Sequence, residues 1–402
     1  MLISYGSLIK EIGNPTLEKS HILGSVKEVL IFAGNKSALT LGVELELQVL
    51  DAASLLLTPR AFEILNYLEN PNLKPEFFQS TLEVVTGICE SVQQAHADLE
   101  KSVIDIQKGA NILGLKIAST GTHPEADYRD RLVTPSSRYN KLMDRNQWLI
   151  RRMAVYGMHV HLGMHSGDDC IKFHNFYLHF VPHLIALSAS SPFYQQLNTG
   201  LASSRPTTYE AMPTSGMPYI VKNWKQFNTI YQALVRTGSI HGIHDLWLDL
   251  RPSPALGTLE LRICDEPATL TEAMAIVAYI HLLGVWYTHH KDEWEQKHKT
   301  LRRWVLRENK WRAIRYGLHG DMIHSVSKKT FSINENIEQW LEKLKPYSIQ
   351  YGYGEYMELI QEILSKGNST TRQLAVYDRT KNLHEVTKQN VREFESNRPM
   401  WS

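Results

Sequence analysis

The sequence predicts an α+β fold built round one antiparallel sheet, and three observations predict it. Three apolar stretches carry charged or imidazole side chains two residues apart: Glu44 and Glu46, His159 and His161, and Glu260 and Arg262. A strand has a side-chain period of two, so each pair shares one face and the aliphatic residues between share the other. Strand and helix patterns follow one another without strict βαβ alternation, which favours an antiparallel sheet. The pairs are spread from Glu44 to Arg262, so one site made from all of them needs a single sheet in a single domain.

The elements follow in chain order. Residues 1–36 are a weakly periodic lead-in, and 37–402 read as one catalytic domain with a helical C-terminal part. Ala38–Asp51 alternates as a strand, and Pro59–Asn70 places Ile64, Leu65 and Leu68 at helical spacing. Thr81–Gly87 reads as a second strand. Ser91–Leu113 reads as a helix with Ala95, Leu99, Ile106 and Ala110 on its apolar side, and Leu115–Thr120 as a third strand. Arg138–Val155 is expected as helix before the His-x-His strand, and Ile171–Ser188 as one long helix closed by Ser190-Ser191-Pro192. Thr199–Pro218 is too rich in turn residues for regular structure. Leu246–Leu250 and Thr258–Cys264 look like paired strands about the turn at 252–257. Beyond Pro267 the pattern is helical, with breaks near Gly317–Gly320 and at Gly367. Its longest apolar run, Ala273–Tyr287, falls short of the roughly 20 residues a bilayer span needs and reads as a buried core helix.

Composition narrows the function classes. The 402 residues are 43% hydrophobic and 21% charged, as in a soluble globular protein with a sizeable core. With 43 basic and 42 acidic residues, no global field favours nucleic acid or an anionic membrane, so neither is expected as a partner. Met1–Gly6 lacks the features of a signal peptide. Cys89, Cys170 and Cys264 are far apart and show no CxxC spacing, which fits a reducing cytoplasm better than a disulfide framework. Arg302, Arg303, Arg307, Lys310 and Arg312 beside Trp304 and Trp311 read as a solvated amphipathic helix. Asp168 and Asp169 are expected to cap the helix that follows the His-x-His strand.

Carboxylates do not line a sheet face without a counter-charge. Two bare charges about 4 Å apart repel by roughly 4 kcal/mol at an effective dielectric near 20. Glu44 and Glu46 sit in an apolar strand, Glu83 interrupts Leu82–Ile88, and Glu76 follows Pro75. Hard carboxylate oxygens suit Mg²⁺ or Mn²⁺. Arg262, Arg251 and Arg205 near several acids give the composition of a phosphoryl-transfer site, where acids hold metal and guanidinium forks neutralise phosphoryl oxygens. Neither a Walker loop nor a kinase glycine loop is present. The alternative is a metal-dependent hydrolase using the His159/His161 strand, but that pair falls mid-chain, after two acidic strands.

Gly-Met-His-Val-His resembles the ATP-binding signature of glutamine synthetases, and Glu-Leu-Arg resembles their later Glu-x-Arg. Closer still is the glutamate–cysteine ligase type 2 family, the bacterial carboxylate–amine ligases. That resemblance covers roughly residues 38–320 and rests on GVELEL, EFFQSTLEVVTGIC, GTHPEADYRD, YGMHVHLGMHSGDDCI, SASSPF, TGLASSR, MPTSGMPY, DLRPSPALGTLELRICD and ENKWRAIRYGL, in that order. It implies a glutamine-synthetase-like catalytic domain, a curved antiparallel sheet with helices on its outer face. It also implies ATP, Mg²⁺ (or Mn²⁺), L-glutamate or another carboxylate, L-cysteine or another amine, and a homodimer. By motif, Glu44, Glu46, Glu83, His159 and Glu260 would be metal ligands, with Glu76 a looser match. His161 would contact phosphate, Arg262, Arg251 and Arg205 phosphate or substrate carboxylate, and Arg315 the nucleotide.

Overall fold

Strand β1 (Leu41–Asp51) is the axis about which the chain is organised. The computed structural model describes residues 29–298, 302–324 and 327–401. Most of the 1–36 lead-in lies outside them. β2 (Leu73–Pro75), β3 (Thr81–Val85), β4 (Leu115–Ala118), β5 (Met158–Gly163), β6 (Leu250–Ser253) and β7 (Thr258–Leu261) complete a seven-stranded sheet. The order is β6-β7-β5-β1-β3-β2, with β4 beside the second half of β1. Every pairing in it is antiparallel. The α+β, antiparallel expectation holds.

The two-residue alternation decides which face is which. Leu41, Val43, Leu45 and Leu47 of β1, Val160 and Leu162 of β5, and Leu259 and Leu261 of β7 are at most 1% exposed and belong to one core. The helix Leu270–Lys297 supplies Met274–Leu283 to that core, and Val92–Ile112 supplies Leu99 and Ile106. The apolar run predicted as a core helix is one: 89% of its most hydrophobic window is buried inside the protein. Thr269 caps its start, with its Oγ1 accepting from Glu272 N at 3.1 Å and donating to Glu272 Oε2 at 3.0 Å. The turn from β6 into β7 requires glycine at 257, where φ is 66° and a Cβ would lie 1.8 Å from Ala33 O.

Several boundaries differ from the sequence expectation for identifiable reasons. The helix expected over Arg138–Val155 is Ser137–Asn146 followed by the single turn Trp148–Arg151. Gln147 breaks it at φ 48°, and the chain then runs non-helically into β5. The helix expected over Ile171–Ser188 is two, Gly167–Tyr177 and Val181–Ser188. Pro182, with no N–H to give, falls in the first turn of the second. Ser166, not Asp168 or Asp169, caps the first, and Asp168 instead accepts from Trp224 N. Of Leu246–Leu250 only Leu250 enters the predicted pairing, because Trp247–Leu248 pairs in parallel with Ser215–Gly216. Two short strands, Asp321–Ile323 and Thr330–Ser332, interrupt the C-terminal helices. The basic helix Arg303–Tyr316 is amphipathic as expected, except that Lys310 turns inward and bonds Asp249 at 2.7 and 2.9 Å.

The last helices are locked to the core by charge. Arg372 on Ser369–Thr380 bonds Glu393 at 2.8 and 3.1 Å and Glu272 at 2.9 Å, and all three side chains are at most 4% exposed. Removing the shared cation strands two buried carboxylates, which typically costs 3–5 kcal/mol. Arg372→Met is expected to lower the unfolding free energy by about 3–5 kcal/mol, seen by circular dichroism as a lower urea midpoint with an unchanged m-value.

Candidate active site

The ladder register brings the three sequence pairs onto one face. Glu44 lies opposite His159, Glu46 opposite Glu83, and Glu260 opposite both His161 and Arg251. Directly opposed residues share a face, so five strands contribute to a single polar floor. That floor lines a cleft of about 420 Å³, which Glu76 enters from the end of β2. The segments between the pairs fold into the same sheet, which is why residues more than a hundred positions apart become neighbours.

Two imidazoles tie the acids together. His159 Nδ1 lies 3.1 Å from Glu44 Oε2, and its Nε2 lies 3.8 Å from Glu46 Oε1. His161 Nδ1 meets Thr258 Oγ1 at 2.9 Å, while its Nε2 lies 3.3 Å from Glu44 and 4.0 Å from Glu260. Burial opposes the charge on Glu44, yet the hydrogen bond from His159 Nδ1 and the nearby imidazole of His161 outweigh it and hold the carboxyl far below its usual range. Burial and then the charge of Arg262 depress His159 to about 4. Glu83 is pushed up to about 9 by burial and by Glu44, Glu76 and Glu46. Glu46 rises to about 7 through burial and Glu76. Glu46 and Glu83 thus sit on this face with no lysine or arginine ion pair among the described residues.

The donor set fits hard divalent cations. Glu44, His161 and Glu260 offer ligand atoms within 4.8 Å of one another. The Nε2 atoms of His159 and His161 are buried and make no hydrogen bond among the described residues. A buried nitrogen with no partner costs free energy, and a cation coordinated by its lone pair removes that cost.

Arginines border Glu260 on the same floor. Arg251 gives Nε and Nη2 to Glu260 Oε2 at 2.9 and 2.7 Å, and Arg262 bonds Glu260 Oε1. Burial disfavours the Glu260 charge, but Arg251 and then Arg262 reverse this and keep it ionised. Arg205 donates Nη1 to the carbonyls of Arg262 and Ile263 at 3.1 and 3.5 Å, leaving its buried Nε without a partner. A Cβ on Gly157 would stand 2.0 Å from Arg205 Nη2, so only glycine fits there. Gly157 N also donates to Glu46 Oε2 at 2.6 Å.

Eleven candidate residues came from the sequence, and ten of them line this cleft. Arg315 does not. Its guanidinium bonds the carbonyl of Gly200 and lies 5.0 Å from the ring of Tyr316, on an exposed helix face away from the cleft lining. Lys74, Arg138, Tyr139, His244 and Trp247 line the cleft and were missed. Arg138 and Tyr139 come from a helix and His244 from a 3₁₀ turn, while Lys74 and Trp247 sit on strands of two or three residues, too short for a two-residue alternation to mark them. Asp265 and Glu266 were also missed. Asp265 accepts from Ser190 N, Ser191 Oγ and Ser203 Oγ at 2.7–3.0 Å and so seats the loop carrying Arg205. Glu266 Oε2 accepts from Glu46 N at 3.0 Å.

Comparison with known proteins places the chain. The family model described as glutamate-cysteine ligase family 2 matches residues 40–394. A protein of Bdellovibrio bacteriovorus with the provisional name glutamate–cysteine ligase 2 is 42% identical over 358 residues, which is 88% of this chain and 94% of that one. A relative in Gloeobacter violaceus with the same provisional name is 38% identical over 87% of this chain and 95% of its own. Among solved structures, the glutamate–cysteine ligase of Francisella tularensis in complex with AMP superposes with a TM-score of 0.66 at 11% identity, covering 90% of both chains. A bifunctional glutathione synthetase of Pasteurella multocida gives 0.64 at 16% identity, covering 89% of this chain and 52% of that one. At such identities these structures establish a shared fold, the one the synthetase-type motifs implied. This chain belongs to glutamate–cysteine ligase family 2.

Proposed function

We propose that this chain is an ATP-dependent carboxylate–amine ligase that joins L-glutamate, or a related carboxylate, to L-cysteine or another small amine through an acyl phosphate. The reading is carried by one observation: acids, imidazoles and guanidinium groups from separate strands converge on one cleft. Family membership supports the ligase class. The family resemblance also implies a homodimer acting on small molecules in the cytoplasm, and three buried, unpaired cysteines fit a reducing compartment.

In the first step a substrate carboxylate oxygen attacks the γ-phosphorus of ATP. The bond to the β–γ bridging oxygen breaks, giving an acyl phosphate and ADP. In the second, the amine nitrogen attacks the acyl carbon, the acyl C–O bond breaks, phosphate leaves and the nitrogen gives up a proton. Glu44, Glu46, Glu76, Glu83, His159 and Glu260 would hold Mg²⁺ or Mn²⁺, with His161 shared between metal and phosphate. The cations supply neutralisation of the triphosphate. Arg251, Arg262 and Arg205 stabilise charge on the transferring phosphoryl group, and positioning and electrostatics provide most of the rate enhancement.

Purified protein should release ADP and phosphate only when a carboxylate and an amine are both present with Mg²⁺ or Mn²⁺, in a screen over pairs of amino acids and amines. Amide hydrolysis without nucleotide would overturn the reading. Glu44→Ala should lower kcat/KM at least about a hundredfold, as removal of one electrostatic stabiliser does.

The raised carboxyls give a second test. Glu83 in the folded, metal-free protein keeps its proton up to about pH 9, whereas the same group free in solution loses it near 4.5. The folded state therefore binds the extra proton, and its stability falls as pH rises from about 7 to 9. His159, at about 4, is already neutral there and adds no slope. In EDTA Glu83 should contribute about 1.4 kcal/mol per pH unit to the fall in unfolding free energy over that window, measured as the slope lost in Glu83→Gln. Saturating Mg²⁺, which needs ionised ligands, should abolish that contribution. An unchanged slope with Mg²⁺ would remove the metal from this site.

A further inference from the structure

Behind the cleft wall lies a second, smaller cavity of about 240 Å³, and three of its seven lining residues are arginines. Arg129 and Arg131 come from the segment after β4, and Arg151 from the turn Trp148–Arg151. The two segments are braced together, since Trp148 Nε1 donates to Tyr128 Oη at 3.0 Å and Arg152 stacks 4.6 Å above the Trp148 ring. The volume exceeds the roughly 30 Å³ share of one water several times over.

Two of the three arginine charges there have no ion-pair partner among the described residues. Asp127 is engaged by Arg129 through Nε at 2.9 and 3.0 Å and through Nη2. Asp130 is exposed and does not line the cavity. Arg131 gives Nε to the Asp127 carbonyl at 3.0 Å and Nη1 to the Leu57 carbonyl at 3.4 Å, partners without formal charge. The Arg151 guanidinium has no hydrogen bond or ion pair among the described residues. Opposite the arginines stand Phe78, Val133 and Met143, an apolar wall.

We propose that this cavity is a binding site for a small phosphate monoester, separate from the cleft. One arginine fork satisfies a planar carboxylate, whereas guanidinium groups from different segments suit a tetrahedral anion with several oxygens. The apolar wall takes the ester's organic part. The segment that carries Arg129 and Arg131 also braces the edge of the cleft. Gln79 N donates to Leu132 O at 2.9 Å, and Thr134 Oγ1 donates to the carbonyl of Glu76 at 2.6 Å. A ligand here presses on the strand end that presents Glu76 without entering the cleft, the position of a modulator and not of a substrate.

The test is titration calorimetry of the whole chain with phenyl phosphate, in EDTA and at fixed ionic strength. Saturable binding near one per chain is expected. Arg151→Met, which removes an exposed and unpartnered side chain, should weaken it at least tenfold, and Arg151→Lys should weaken it less. Arg138→Met, in the cleft, should leave it unchanged. Absence of saturable binding, indifference to Arg151→Met, or equal weakening by Arg138→Met would each overturn the proposal.

Discussion

The structure depends on one electrostatic constraint: a sheet face whose arginine ion pairs gather at Glu260 and leave Glu46 and Glu83 opposed, with no lysine or arginine ion pair among the described residues. Glu260 is satisfied by Arg251 and Arg262, but Glu44 rests on two imidazoles and Glu46 on a backbone N–H. Glu46 and Glu83 oppose each other across β1 and β3, where like charges destabilise a strand pair. Protonation relieves that repulsion in the metal-free protein, and under the proposed function divalent cations would relieve it with the carboxylates ionised.

Holding such a face in place takes a stiff background. The reverse side of β1, β5 and β7 is aliphatic and buried in the core to which the Leu270–Lys297 and Val92–Ile112 helices contribute, so a one-residue slip would send acids into that core. Beneath the floor, Asp265 and Glu266 fix the backbone at the Arg205 loop and at Glu46. These residues touch neither cleft nor solvent, yet they set the positions of groups that do. Gly157 completes the packing by leaving room for a guanidinium where any Cβ would collide.

How much of this was legible follows from where each residue sits. On strands, alternation writes orientation directly into the sequence, so the Glu, His and Glu/Arg pairs could be assigned to one face before any coordinates. Register then followed from the need to keep aliphatic residues inward. Arg138, Tyr139 and His244 escaped because helix starts and 3₁₀ turns carry no such signature, and their entry into the cleft depends on tertiary packing. Arg315 was misplaced for the converse reason: a motif match gives proximity in sequence to family positions but not the direction of a side chain. The split of Ile171–Ser188 was readable from Pro182, whereas the break at Gln147 was not, since glutamine is a good helix former held at positive φ by its surroundings.

The central claim is that a protein imidazole and a nucleotide phosphate share one cation on this face. Electron spin-echo spectroscopy of the protein with Mn²⁺ and ATP tests it most directly. The account requires both a nitrogen coupling from histidine and a phosphorus coupling on the same manganese, with the nitrogen coupling lost in His161→Ala or His159→Ala. A manganese signal with phosphorus and water alone, in the unaltered protein, would contradict it.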